Sequence, residues 1–149
     1  GEYVLEEEWD GGPRTYLGLG VDGFPNLFTI TGPQSPAVLS NMPVSIEQHV
    51  DWIADCIEYM QSEGYEYIEP QPAAAEQWVS QTNTLAETML FSEAESWYRG
   101  ANVPGKTRVF TPYPGGVETY RREGERVVDK GYEGVGFAES SASLSGSAD

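Results

Sequence analysis

Apolar residues recur along this chain in a helical rhythm in its middle and in short β-prone runs before it. Ile46, Val50, Ile53, Ile57 and Met60 stand three or four apart, which is one face of an α-helix, and Gly64 supplies a stop. Pro72 opens a second helix in which Ala75, Trp78, Thr82, Leu85 and Met89 share a face. A third helix is predicted over residues 117–130, weakened by Gly124 and ended by Gly131. Upstream, residues 2–9 read as an edge strand, residues 16–19 as a short strand closed by Gly20 and Gly23, and residues 26–31 as a buried strand. Gly11-Gly12-Pro13 is a turn between them. Both helical stripes read as core packing. The expected fold class is α+β, mainly helical with a few short strands.

Two stretches lack either rhythm. Residues 92–107 are rich in Gly, Pro and Asn and are predicted to form a long loop, a length that in compact domains often carries function. Phe137 closes the ordered part, and residues 138–149 (AESSASLSGSAD) are expected to be a disordered tail.

Composition narrows the possible partners. At 149 residues, 39% hydrophobic and 12% aromatic, the chain has the length and composition of one domain with a real core. Its 24 acidic against 8 basic residues leave a net charge of −16, which argues against nucleic acid and anionic membranes. A solvated acidic surface is the default reading of that bias, and a salt-adapted source is the second. No apolar run reaches the length of a membrane span, and no secretory signal opens the chain. The single cysteine, Cys56, excludes an internal disulfide and fits a reducing cytoplasm. It shares a helix face with Ile53 and Met60 and is expected to be a buried structural thiol.

Self-contained chemistry is absent from the pattern. One histidine and one cysteine cannot build a His/Cys metal site. His49, inside the first long helix, reads as a satisfied structural histidine. Ser35 lies in GPQSPA, which lacks the geometry of a nucleophile elbow, and Glu6, Glu7 and Glu8 read as a solvated run. Gly18, Gly20 and Gly23 have the wrong spacing for a dinucleotide fingerprint. What stands out is the junction within residues 23–50. Gly32 and Pro33 break the predicted strand, Pro36 adds a rigid turn, and Ser40 and Asn41 offer capping oxygens to a helix. A helix starting just past a strand's carboxyl end presents free N–H groups and positive dipole, a place to hold an electron-rich ligand.

That junction closely resembles the C-terminal part of the Baeyer–Villiger flavin monooxygenases. SWYRGANVPGK (residues 96–106) is similar to the same family, as are Arg108-Val109-Phe110, Tyr113, Gly115-Gly116, Tyr120-Arg121 and Lys130-Gly131-Tyr132-Glu133-Gly134, in order and spacing from about Thr15 to Gly134. The resemblance implies the C-terminal portion of the flavin-binding domain over residues 1–137, within a fold of two dinucleotide-binding domains. It also implies FAD and NADPH as cofactors, a flavin peroxide as oxidant, and ketones converted to esters or lactones. Gly32, Pro33 and residues 39–42 would lie beside the isoalloxazine ring, with Leu39 among them and Met42 closest to its pyrimidine edge. Trp97 would reach the nicotinamide from a covering loop, residues 92–107, that Asn102 and Lys106 share. Ala37, Val38, Leu39, Thr111 and Tyr113 would form the substrate wall. Thr111, Pro112, Gln34, Pro43 and Arg122-Glu123-Gly124 depart from the family's usual residues. Both Gly-rich motifs and the family's catalytic arginine would lie upstream, so the isolated chain is expected to bind neither cofactor tightly and to be inactive. The first long helix would then expose an apolar face meant for the missing flavin domain. The rival readings are a subunit of a split flavoenzyme, a non-enzymatic relic module, and an oxygenase acting on nitrogen or sulfur.

Overall fold

A computed structural model describes residues 3–36, 41–88 and 112–139. The elements run α1 (Leu5–Glu8), α2 (Met42–Ser62), β1 (Tyr67–Pro70), α3 (Pro72–Glu87), α4 (Val117–Asp129) and β2 (Val135–Ala138). All three predicted long helices form where the periodicity puts them. Gly64 (φ +78°) and Gly131 (φ +71°) stand in the left-handed region just past the ends of α2 and α4, as helix stops do. Pro43 and Pro72 sit in the first turns of α2 and α3, where the missing N–H leaves no bond unmade. The described residues thus have the mixed, mainly helical character that the sequence pattern predicts.

The predicted strands do not form. Residues 2–9 supply α1 instead, a single turn whose Glu6, Glu7 and Glu8 occupy the favourable positive end of the helix. Residues 16–19 form a tight reversal in which Tyr16 and Gly20 make one isolated bridge, with Leu17 (φ +58°) and Gly18 (φ +69°) in the left-handed region. Residues 26–31 contribute only the Gly20–Phe28 bridge, because Asn26 (φ +60°) and Thr31 (φ +53°) turn the chain at both ends. Apolar character alone cannot reveal such left-handed turns. In their place is a sheet the periodicity missed, β1 antiparallel to β2, pairing Tyr67 with Ala138 and Pro70 with Val135. Ala138, assigned to the tail by composition, is the buried last residue of β2. The remainder of the predicted tail beyond Glu139, the predicted loop 92–107, Ser40 and Met89 lie outside the described residues.

Asn26 substitutes for a third strand. Its backbone N–H donates to Ile68 O at 2.9 Å, its Oδ1 accepts from Ile68 N–H at 3.0 Å, and its Nδ2 donates to Glu66 O at 3.1 Å. Asparagine suits this place because it tolerates left-handed backbone and carries both a donor and an acceptor.

The core has two lobes joined through Trp52. One holds Tyr16, Leu17, Leu19, Ala75, Trp78, Tyr113, Tyr120 and Val127; the other centres on Cys56, Ile68 and Tyr132. Cys56 is fully buried, and burial pushes its thiol up to about 12, as expected of a structural thiol. On α3 the predicted stripe is the buried one, with Ala75, Trp78 and Thr82 inside. On α2 the buried positions are Ser45, His49 and Cys56, offset by one residue from the predicted stripe. Ile46 (40% exposed) and Val50 (45%) face out, and Val44, Leu27 and Ile30 are exposed as well.

Gly124, read from sequence as a weak point of α4, is the place where α2 and α4 meet. Trp52 Nε1 donates to Gly124 O at 3.2 Å, and a methyl at Gly124 would stand 3.5 Å from the indole, an ordinary contact. Gly124→Ala therefore raises stability by about 0.5–1 kcal/mol, through lower unfolded-chain entropy and better helix propensity. The measurement is the urea unfolding midpoint, which moves up at unchanged slope.

Candidate functional site

The turn singled out in the sequence is held from below by a set of buried polar bonds. Gln34 is fully buried with φ +61°. Its Nε2 donates to Pro13 O at 3.0 Å, and Thr15 Oγ1 lies 2.9 Å from its Oε1 and 2.7 Å from Pro33 O. Thr15 Oγ1 also accepts from Gly18 N–H at 3.1 Å. Ser35 Oγ closes the turn by donating to Gly32 O at 2.7 Å. No side chain fits at Gly32: a Cβ there would run into Thr29 Oγ1 and stand 2.7 Å from Gly18 O. The left-handed backbone at position 34 explains why Gly or Asn would suit it. Gln34, unlike either, spans the gap to Pro13.

Two distant segments converge on this turn. Trp78 of α3 donates its Nε1–H to Gln34 O at 3.1 Å and stacks on Tyr113 with centroids 5.2 Å apart and planes 10° from parallel. Tyr113 in turn donates its backbone N–H to Ser35 O at 2.7 Å. Tyr120 of α4 abuts both rings and donates its hydroxyl to Leu17 O at 2.6 Å, so burial pushes its phenol up. Gly32 and Pro33 on one segment and Tyr113 on the other, expected from sequence at one site, therefore lie on segments joined by the Tyr113–Ser35 bond. Sequence reading placed Trp78, Thr15 and Tyr120 outside the site, since a tryptophan on a helical stripe reads only as core.

His49 of α2 reaches the same turn from the side. Its Nδ1 accepts the Thr31 N–H at 3.0 Å, while its Nε2 has no hydrogen-bond partner among the described residues. The structural histidine of the sequence reading is thus satisfied at one nitrogen only. Burial holds its pKa down at about 4, and its ring meets Tyr120 edge-on.

Of the expected cofactor-contacting residues, Gly32 and Pro33 form the turn and Met42 is the first residue of α2. Asn41 stands at the N-cap of α2 as predicted, but its side chain makes no capping bond. Tyr113 is buried (3% exposed) behind the turn. Ala37, Val38, Leu39, Trp97, Asn102, Lys106 and Thr111 lie outside the described residues. A polar cleft of about 320 Å³ opens elsewhere, between α3 and α4, and none of the expected site residues lines it. Arg126 in that cleft is held by Glu123 and Glu133 at 3.1 and 2.7 Å, so its charge is already matched.

No protein-family profile matches the chain. Individual proteins do. It is 39% identical over 131 residues to a cyclohexanone 1,2-monooxygenase of Acinetobacter, covering 88% of this chain and 24% of that protein. It is 37% identical over 134 residues to a phenazine N-monooxygenase of Lysobacter antibioticus, covering 90% of this chain and 24% of the other. Among solved structures, a steroid monooxygenase bound to NADP superposes with a TM-score of 0.86 at 48% identity, over 94% of this chain and 26% of that one. In sequence and in fold, the chain matches one segment of the Baeyer–Villiger flavin monooxygenases. It spans about a quarter of the length of the relatives it matches.

Two measurements test this arrangement. Gln34→Val forces a β-branched residue into left-handed backbone and removes two buried bonds, which together cost roughly 2–4 kcal/mol. Gln34→Gly loses the same bonds but relaxes the backbone, so it should be less destabilised by about 1–2 kcal/mol in urea unfolding. The second concerns pH. The His49 pKa is about 4 in the folded chain against 6.5 as its ordinary value, so the unfolded chain takes up the proton first as pH falls. Its contribution is intact above pH 6.5 and is lost at about 1.4 kcal/mol per pH unit on the way down to 4. The difference in unfolding free energy between the parent chain and His49→Leu should show that slope in that window.

Proposed function

We propose that this chain is the C-terminal part of an FAD- and NADPH-dependent monooxygenase that converts ketones to esters or lactones. The observation that carries the reading is the joint match of sequence and fold along nearly the whole chain to one quarter of the cyclohexanone and steroid enzymes. The local chemistry agrees. The α2 N-terminus carries no side-chain cap, and the turn before it is rigidly bonded from beneath, which suits a flat, electron-rich ring laid against backbone.

Within this reading, FAD reduced by NADPH supplies the oxygen-activating chemistry, and the residues of this chain position it and exclude water. Gly32 and Pro33 offer backbone that lets the ring approach closely, with Leu39 and Met42 along the α2 start. Trp97 and Asn102 close over the nicotinamide from the covering loop. Ala37, Val38 and Thr111 face the ketone, and Tyr113 anchors that wall from behind through Ser35. Residues 1–137 then belong to the flavin-binding domain, and the remaining three quarters of the enzyme supply most of both cofactor sites.

The similarity to a phenazine N-monooxygenase favours one second reading, oxygen transfer to an aromatic nitrogen. Both are tested by replacing the matching quarter of the steroid monooxygenase with residues 1–149. The chimera is expected to hold FAD, consume NADPH and form ester from ketone, while residues 1–149 alone oxidise nothing. Ketone oxidation by the chain alone would overturn the reading. A folded chimera without flavin would leave a relic module, and one that oxygenates phenazine but no ketone would favour the second reading.

A further inference from the structure

We propose that His49 is a positioning residue: its Nδ1 clamps the Thr31 N–H and thereby fixes the Gly32–Pro33 turn against the flavin. The proposal rests on the flavin-contact reading of that turn. Thr31 is β-branched yet has φ +53°, a backbone state that costs about 1–2 kcal/mol and must be held by its surroundings. The downstream half of the turn is held by Ser35, whose Oγ and N–H both donate to Gly32 O, at 2.7 and 3.2 Å. The upstream half is held at Thr31 N–H by His49 Nδ1, at 3.0 Å.

The clamp is built to be stiff. His49 is 1% exposed, lies within a 21-residue helix and rests edge-on against Tyr120, whose hydroxyl is tied to Leu17 O at 2.6 Å. Accepting at Nδ1 requires a neutral ring with its proton on Nε2. That Nε2 is buried and has no partner among the described residues. An unpaired buried donor is destabilising, so packing alone would favour an apolar side chain of the same volume. A histidine here gives stability away at one nitrogen and uses the other on the backbone of the turn.

Asparagine and glutamine separate positioning from packing. An asparagine Oδ1 stands where Nδ1 stands, whereas a glutamine amide reaches out to the Nε2 position although its volume is nearer that of histidine. In residues 1–149, hydrogen exchange at the Thr31 amide should stay slow in His49→Asn and rise about tenfold in His49→Gln and His49→Leu, the loss of one hydrogen bond. In the FAD-loaded chimera, the flavin absorbance and circular-dichroism bands should match the parent in His49→Asn and shift in the other two variants, with FAD affinity about tenfold weaker. Protection that follows side-chain volume, glutamine above asparagine, would overturn the proposal. So would unchanged flavin bands in all three variants. A parent chimera that holds no FAD would count against the flavin reading of the turn. The exchange measurement would still decide whether His49 clamps Thr31.

Discussion

The indole of Trp78 is the joint on which the described structure turns. It donates one hydrogen bond to Gln34 O, stacks flat on Tyr113 and packs edge-on against Tyr120. Those contacts tie α3 to the turn at residues 32–36, to the segment before α4 and to α4 itself, pieces that lie 44 residues apart in the case of the hydrogen bond alone. Aromatic stacking gives the area, and the single N–H fixes the register, since a buried indole without an acceptor would be destabilising. Thr15, Gln34 and Ser35 then complete a layer of part-buried bonds to the carbonyls of Pro33, Pro13 and Gly32.

This layer makes a rigid floor rather than an active site. Of the residues expected to meet cofactor that are described, Gly32 and Pro33 belong to the turn itself and Met42 begins α2, and none of them lines the polar cleft between α3 and α4. In the proposed monooxygenase such a floor would hold a flat cofactor in one pose, where small displacements of bound reactants cost large factors in rate. The bonds beneath the turn are spent on geometry.

Helix α2 shows two faces with opposite character. Its inner face carries Ser45, His49 and Cys56, two of them polar, while Ile46 and Val50 point outward. A free-standing surface helix would show the reverse arrangement. The apolar stripe found in the sequence was real as a helix signal and only partly the core face: Ile53 and Met60 pack against the core, whereas Ile46 and Val50 do not. Ile46 and Val50 remain exposed among the described residues.

The sequence by itself determined the three long helices and their stops, because helical periodicity, proline at first turns and glycine after last turns are local signals. It also located the turn at Gly32 and Pro33 and the burial of Cys56. Tertiary structure alone decided the rest. The left-handed backbone at Leu17, Asn26 and Thr31 replaced two of the expected strands, and of these residues only asparagine has a local leaning toward that conformation. Pairing of β1 with β2 joins residues about 70 positions apart, a contact whose partner no short window contains. His49 likewise reads from sequence as an inert core residue; only the approach of Thr31 makes its Nδ1 a clamp, because a hydrogen bond depends on where the other chain segment comes to rest.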